Sequence, residues 1–120
     1  MMQSDFLDLK NRFNEYVNSY CDGDGQLHPM LQLKLDHSLR VAYEAREIAV
    51  ELGWSEPEIL MAEIIGLLHD VGRFSQYQEF RTYFDPKSVN HGCRGFQVLS
   101  TSDWLSRLSS EESHLIMESV

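Results

Sequence analysis

Two histidines and an aspartate are the residues whose types and positions could do chemistry in this chain. His37 falls within a long predicted helix, and His69 and Asp70 stand side by side at the end of another. Imidazole and carboxylate groups bind divalent transition metals, and a carboxylate buried beside imidazole is costly unless it is paired or coordinated. A helix C-terminus also favours a nearby cation. The residues alone leave two interpretations open: a metal site, or a histidine hydrogen-bonded to a carboxylate for packing.

The helical register predicts that these side chains point inward. His37 is in register with four apolar residues of its own helix, which places it on the predicted inward face. These residues are Val41, Ala45, Ile48 and Leu52. His69 is in register with apolar residues of the most apolar helix in the chain, and Gly66 lies one turn before it. Because Gly66 has no side chain, we expect room there for a group to approach.

The elements that carry these residues are predicted to be helices throughout. Apolar residues recur at helical spacing, and no alternating strand pattern of useful length appears, so we predict an all-α bundle of about five to seven helices. Ser55 and Glu58 form a capping-box pattern at the start of the central helix. A loop is expected around Asp85 and Pro86. The predicted helices span about 3–20, 30–53, 55–72, 76–83, 89–99, 103–108 and 110 onward.

Composition limits the classes of function. The chain has 120 residues, which predicts one domain over residues 1–120, and its net charge of −9 disfavours nucleic-acid polymers and anionic membranes as partners. Its two cysteines show no Cys-x-x-Cys pattern, which favours free thiols in a reducing compartment. No secretory signal or long apolar run is readable, so the expected location is the cytoplasm.

Three segments carry a recognisable pattern. They are DHSLRVA at 36–42, GLLHDVGRF at 66–74 and SVNHG at 88–92. Together they resemble the HD-domain superfamily of metal-dependent phosphohydrolases, over roughly residues 25–120. The first histidine of that family's H…HD…D pattern falls on His37, and the doublet falls on His69 and Asp70.

The resemblance implies an HD-like helical bundle around one or two divalent ions (Mn, Fe, Co, Ni, Zn or Mg). In it, His37 and His69 are metal ligands, and Asp70 is a catalytic ligand that bridges two ions or orients the attacking water. His91 matches a further metal ligand or a phosphate contact, with a solvent-exposed helix residue as the alternative. Arg73 could hold a phosphate oxygen of the substrate, with a surface charge as the alternative.

The chain departs from the pattern at its closing aspartate. Asp85 lies in the predicted loop and Asp103 resembles a helix N-cap, so neither fits that position. We therefore expect the chain to stop before its site is complete and to be truncated at its C-terminus. The exposed apolar face this leaves predicts a homodimer or helix exchange.

Two functions follow as hypotheses. The first is a metal-dependent phosphohydrolase acting on a nucleotide or another small phosphate ester, with doubtful activity in this shortened chain. The second is a non-catalytic helical domain that binds a metal, a nucleotide or a partner, in which His69 and Asp70 form a structural pair.

Overall fold

Six α-helices and one short 3-10 helix make up the regular structure, and no strand is present. The structure is a computed structural model covering residues 1–120. The all-α prediction and the predicted helix number are confirmed. None of the helices combines the length and the apolar character needed to cross a bilayer. The α-helices are α1 (Gln3–Asn18), α2 (Pro29–Glu51), α3 (Glu56–Leu68), α4 (Gly72–Phe80), α5 (His91–Ser100) and α6 (Ser110–Ser119), and the 3-10 helix is Asp85–Lys87.

The start of α3 follows the predicted capping box. The Ser55 hydroxyl accepts from the Glu58 N–H at 3.4 Å, and the Ser55 N–H donates to the Glu58 carboxylate at 3.1 Å. Just before it, Gly53 adopts a left-handed backbone (φ +74°) where α2 ends. These local signals fix where the central helix begins, and therefore where its far end places His69.

Helix α3 is the centre of the bundle, in contact with α1, α2 and α6. Five of its large apolar side chains are buried: Ile59, Leu60, Ile64, Leu67 and Leu68. Helix α1 packs a stripe of buried side chains against the same core, and these residues recur at the three- and four-residue spacing seen in the sequence. The stripe consists of Phe6, Leu9, Phe13 and Val17.

The predicted inward face of α2 is wrong by about one residue. Ile48 and Leu52, two members of the predicted stripe, are 58% and 62% exposed. The buried residues of α2 are instead Leu31, Ser38, Ala42 and Ala49. The cause is the close crossing of α2 over α3 at Gly66, where a Cβ would lie 3.0 Å from the Ala42 Cα. The space left by Gly66 is therefore filled by the α2 backbone, and His37 lies at the edge of the interface with a side chain that is 39% exposed.

Three smaller predictions from the sequence are also wrong. Gly72 begins α4, whereas α3 already ends at Leu68. Residues 103–108 form turns and no helix, and the Asp103 carboxylate accepts from the Arg12 guanidinium at 2.6 Å in place of capping a helix. The segment expected as a loop at Asp85 is a 3-10 helix.

Candidate metal centre

His37, His69 and Asp70 converge at the point where α2 crosses the end of α3. The Nε2 atoms of His37 and His69 each lie 3.4 Å from Oδ2 of Asp70. One potential ligand atom from each residue lies within 4.8 Å of the others. His37 comes from the middle of α2, and His69 and Asp70 come from the turn between α3 and α4. The structure thus brings together the three residues that the sequence singled out first.

A backbone hydrogen bond fixes the orientation of the His69 ring. Its Nδ1 lies 2.6 Å from the carbonyl oxygen of Gly66. Because a carbonyl oxygen can only accept, Nδ1 carries the proton and donates. The Nε2 atom therefore faces Asp70 with its lone pair available whenever the ring is neutral. This is the arrangement that holds a metal-binding histidine in one tautomer.

The charges of the three residues favour an ionised carboxylate. Burial opposes ionisation of Asp70, but the His69 hydrogen bond and the charges of His69, Arg73 and Lys34 lower its pKa to about 2. The Asp70 hydrogen bond raises the pKa of His69. Burial lowers the pKa of His37. The charge of Asp70 opposes this, and neighbouring positive charges add to the lowering. A neutral His37 beside an ionised Asp70 supplies ligands in the protonation states that a metal requires.

His91, the first residue of α5, lies near the other oxygen of the same carboxylate. Its Nε2 lies 3.6 Å from Oδ1 of Asp70, and its Nδ1 lies 2.8 Å from Oδ2 of Asp85. A carboxylate only accepts, so Nδ1 donates to Asp85 and Nε2 is turned toward Asp70. His91 is therefore no solvent-facing helix residue, although it lies outside the tight group of His37, His69 and Asp70.

Asp85 lies beside this site and was not selected in the sequence analysis. Its Oδ2 accepts from the backbone N–H of His91 at 3.3 Å as well as from the ring. Its Oδ1 accepts from the Gln76 amide at 2.9 Å and from the Arg73 guanidinium at 3.1 Å. The His91 hydrogen bond lowers the pKa of Asp85 to about 2, and the Gln76 amide adds to this. The only sequence signal was a carboxylate six residues before a candidate histidine.

Arg73 is largely buried and engaged within the protein, so the surface-charge alternative is wrong. Its Nη1 donates to the Tyr83 carbonyl at 2.9 Å, and also to Asp85 and Gln76. Its Nε lies 4.0 Å from Oδ1 of Asp70, too far for a hydrogen bond, and has no other protein partner. Arg73 therefore links the two aspartates, and the N–H groups of its Nη2 are left for an added oxygen.

Gly72 allows α5 to come close enough for His91 to reach Asp70. A Cβ at Gly72 would clash with the carbonyl of His91 and lie 2.5 Å from the backbone nitrogen of Gly95. No rotamer change could relieve a clash with backbone atoms. The glycine after the His-Asp doublet is thus a contact point between α4 and α5, in addition to starting α4.

Lys34 is a second positive group that the sequence analysis did not single out. It lies one turn before His37 on α2, with its Nζ 5.0 Å from the centre of the Tyr83 ring. The Tyr83 hydroxyl donates to the Met30 carbonyl at 2.6 Å, which holds the ring in place. No carboxylate lies within ion-pair distance of Lys34. Burial raises the pKa of Asp70, and the charge of Lys34 adds to the His69 hydrogen bond and the charges of His69 and Arg73 that lower it. It is a half-buried ammonium beside the candidate metal centre.

Comparison with known protein families gives a match. The family described as the HD domain matches residues 35–117, more than half of the chain, and the match includes His37, His69, Asp70 and His91. Comparisons with curated proteins and with solved structures give no match.

Proposed function

The chain belongs to the HD-domain family of metal-dependent phosphohydrolases, and we propose that it hydrolyses a small phosphate ester at a divalent ion held by His37, His69 and Asp70. A nucleotide is one substrate of this class. The net charge of −9 opposes binding of nucleic-acid polymers, whereas a small phosphate needs only the local positive groups of the site.

The donor set fits a divalent metal. Two imidazole nitrogens and a carboxylate oxygen suit Mn, Fe, Co, Ni or Zn, and three protein ligands suffice when water completes the coordination. The ring of His69 is held in the tautomer that leaves Nε2 free. Asp70 is buried and ionised, so it supplies the negative charge that a cation requires. The metal itself is not identified by this set.

When bound, a divalent ion in this position would polarise a phosphoryl oxygen and make a water molecule more acidic. The residues of the chain prepare the reaction around it. Oδ2 of Asp70 lies on the side of His37 and His69, where it would bind the ion. Its Oδ1 faces His91 and Arg73. That second oxygen can accept a hydrogen bond from a water and so orient it for attack on phosphorus.

Two positive side chains are placed to bind the phosphate. Lys34 has no carboxylate partner and carries free ammonium hydrogens, so it is suited to bind a phosphate oxygen. Arg73 offers the N–H groups of Nη2, because Nη1 is engaged with Asp85, Gln76 and Tyr83 and Nε is buried. His91, oriented by Asp85, adds a further contact to the ion or to the phosphate.

The observation that carries this proposal is the convergence of the three ligand atoms within 4.8 Å. The test is metal analysis of protein purified without chelator, together with phosphatase assays on nucleoside monophosphates and a generic phosphomonoester. We expect bound divalent metal in the wild type and strong loss in His37→Ala and Asp70→Ala. His114→Ala is the matched control, because His114 is exposed and contacts only Glu118, at 3.1 Å. Equal metal content in all four proteins would remove the assignment.

A non-catalytic metal-binding domain is the second candidate. It is favoured by the small ligand set, since only three side chains form the tight group. A wild-type protein that binds metal through His37 and Asp70, yet hydrolyses none of the phosphate esters, would support this second function over the first. Thermal denaturation with Mn²⁺ measures metal binding independently of turnover, because a ligand that binds the folded state raises the melting temperature.

A further inference from the structure

An apolar groove lies at the end of the α2–α3 pair remote from the metal centre. It consists of two adjoining cavities of about 330 Å³ each, which share Trp54, Ala62 and Ile65. Ala45, Ile48 and Ala49 of α2 line one side, and Leu115 of α6 lies at the other. Ile48 follows His37 by eleven residues, or about 16 Å along the helix, so the groove is separate from the candidate metal centre.

The shape of the groove suits a helix laid across it. Ala49 is buried at its floor, while Ile48, Trp54 and Leu115 stand exposed along its edges. A groove with small residues at its floor and large apolar side chains at its edges accepts the apolar face of an amphipathic helix. Large exposed apolar residues gathered in one place are typical of an interaction site.

The charge around the groove defines the partner. The two segments that supply its lining residues, 44–65 and 109–120, contain nine glutamates, no aspartate, no lysine and a single arginine. That arginine, Arg46, is paired with Glu63 at 3.6 Å. Glu58 lines the groove itself, and Glu44 and Glu51 lie within one turn of Ile48. The rim of the groove is therefore negative at Glu58, Glu44 and Glu51, and no lysine lies in these two segments to offset that charge.

This charge weighs against two other occupants. A second copy placed on the same face by two-fold symmetry would bring one acidic rim against another. An anionic membrane surface would be repelled in the same way. The homodimer expected from the sequence has the apolar face that it needs, but the charge of the rim opposes it.

We propose that this groove binds an amphipathic helix of another protein, one with an apolar face flanked by lysine and arginine. The apolar side chains fill the space between Ile48, Trp54 and Leu115, and the basic flanks face the glutamates of the rim. The metal centre takes no part in this contact.

The test uses a synthetic amphipathic helix of leucine and lysine, about 18 residues or five turns long. Trp54 reports binding directly, because covering its exposed ring shifts its fluorescence to shorter wavelength. We expect saturable binding of one peptide per chain, with a spectral shift that is absent in Trp54→Phe. Ile48→Glu should weaken binding at least tenfold. Val50→Glu is the matched control, since it adds the same charge to an exposed position of α2 outside the groove.

Three results would overturn the proposal. The first is equal binding by Ile48→Glu and Val50→Glu, which would show attraction to the overall acidic charge. The second is equal binding of a peptide with glutamate in place of lysine, or a stronger Trp54 shift with anionic phospholipid vesicles. The third is a concentration-dependent dimer, measured by sedimentation, that Ile48→Glu dissociates and Val50→Glu does not. That result would assign the groove to a second copy of the chain.

Discussion

The Nδ1 atom of His91 donates to Oδ2 of Asp85 at 2.8 Å, and the backbone N–H of the same histidine donates to the same oxygen at 3.3 Å. One carboxylate oxygen thus fixes both the ring and the main chain of His91. Because Asp85 also holds Arg73 and Gln76, it joins the start of α5 to α4. Asp85 acts on the candidate metal centre through His91 rather than by belonging to it.

Asp85→Asn should lower phosphatase activity by about 10- to 100-fold, the usual effect of removing a group that orients a site histidine. The variant should retain its divalent metal, because His37, His69 and Asp70 are untouched. Metal analysis and steady-state kinetics on the same samples measure the two effects. Asp103→Asn is the matched control, since the Asp103 carboxylate contacts only Arg12. Loss of metal in Asp85→Asn would show that His91 belongs to the ion-binding group.

Lys34→Ala should weaken binding of phosphate about tenfold or more, because a hydrogen bond to a charged group contributes about 1.5–3 kcal/mol. Isothermal titration calorimetry of the Mn²⁺-loaded protein with inorganic phosphate measures the phosphate affinity without turnover. Lys34→Arg should recover part of the affinity by keeping the charge. Lys10→Ala removes a lysine from α1, outside the site, and should change nothing. Phosphate binding that is equal in the wild type and Lys34→Ala would exclude Lys34 as the anion contact.

Gly72→Ala should destabilise the fold by about 1–3 kcal/mol, the range for forcing extra atoms into a packed contact. The added Cβ would meet the His91 carbonyl and the Gly95 nitrogen, both backbone atoms. Urea unfolding measures the change in the free energy of unfolding. Gly23→Ala is the control, because a Cβ there meets nothing within 4 Å. If both variants unfold at the same urea concentration, α4 and α5 are not in backbone contact at Gly72.

Ser38→Ala should leave stability unchanged or raise it by up to about 1 kcal/mol. The Ser38 hydroxyl is buried and has no hydrogen-bond partner, so its removal relieves a desolvation cost. Ser55→Ala should have the opposite effect and lower stability by about 1 kcal/mol, since it removes the N-cap of α3. Thermal and urea denaturation of Ser38→Ala and Ser55→Ala measure the two changes in stability. A destabilised Ser38→Ala would mean that the hydroxyl has a partner in solution.

The Asp85 interactions should stabilise the fold above about pH 4 and lose that effect in stronger acid. The pKa of Asp85 is lowered from 3.8 to about 2, so the unfolded chain takes up a proton before the folded one does. The contribution is complete above the unfolded pKa and disappears as the pH falls through the folded pKa. The stability difference between wild type and Asp85→Asn should therefore shrink between pH 5 and pH 2. A difference that stays constant over this range would contradict the lowered pKa.

Local signals made much of the fold predictable. The capping box at Ser55 and Glu58 fixed the start of α3, and the three- and four-residue spacing on α1 gave its buried stripe. The pairing of His37 with the His69–Asp70 doublet followed from their motif. These features depend on residues close together in sequence or on a recognisable pattern.

The remaining features depend on contacts between distant parts of the chain. The face of α2 that is buried is set by backbone contact with Gly66 on another helix, which a periodicity of α2 alone does not contain. Asp85 joins the site because the chain turns back after α4 and places its carboxylate against His91 and Arg73. No spacing rule within one helix predicts such a contact, so Asp85 was assigned to a loop.

The backbone contact at Gly72 has a consequence for how the chain tolerates sequence change. Side chains on the outer surface of α5, such as Cys93, Phe96 and Gln97, are exposed and make no part of that contact. In a library covering every position of α4 and α5, these sites should accept most replacements. Position 72 should accept almost none, whatever selection is applied to catalysis, and position 95, where a Cβ would lie 3.3 Å from the Val71 side chain, should accept only small residues. Tolerance to substitution along α4 and α5 would then depend on the distance between the two backbones and would not depend on the distance from the metal ion.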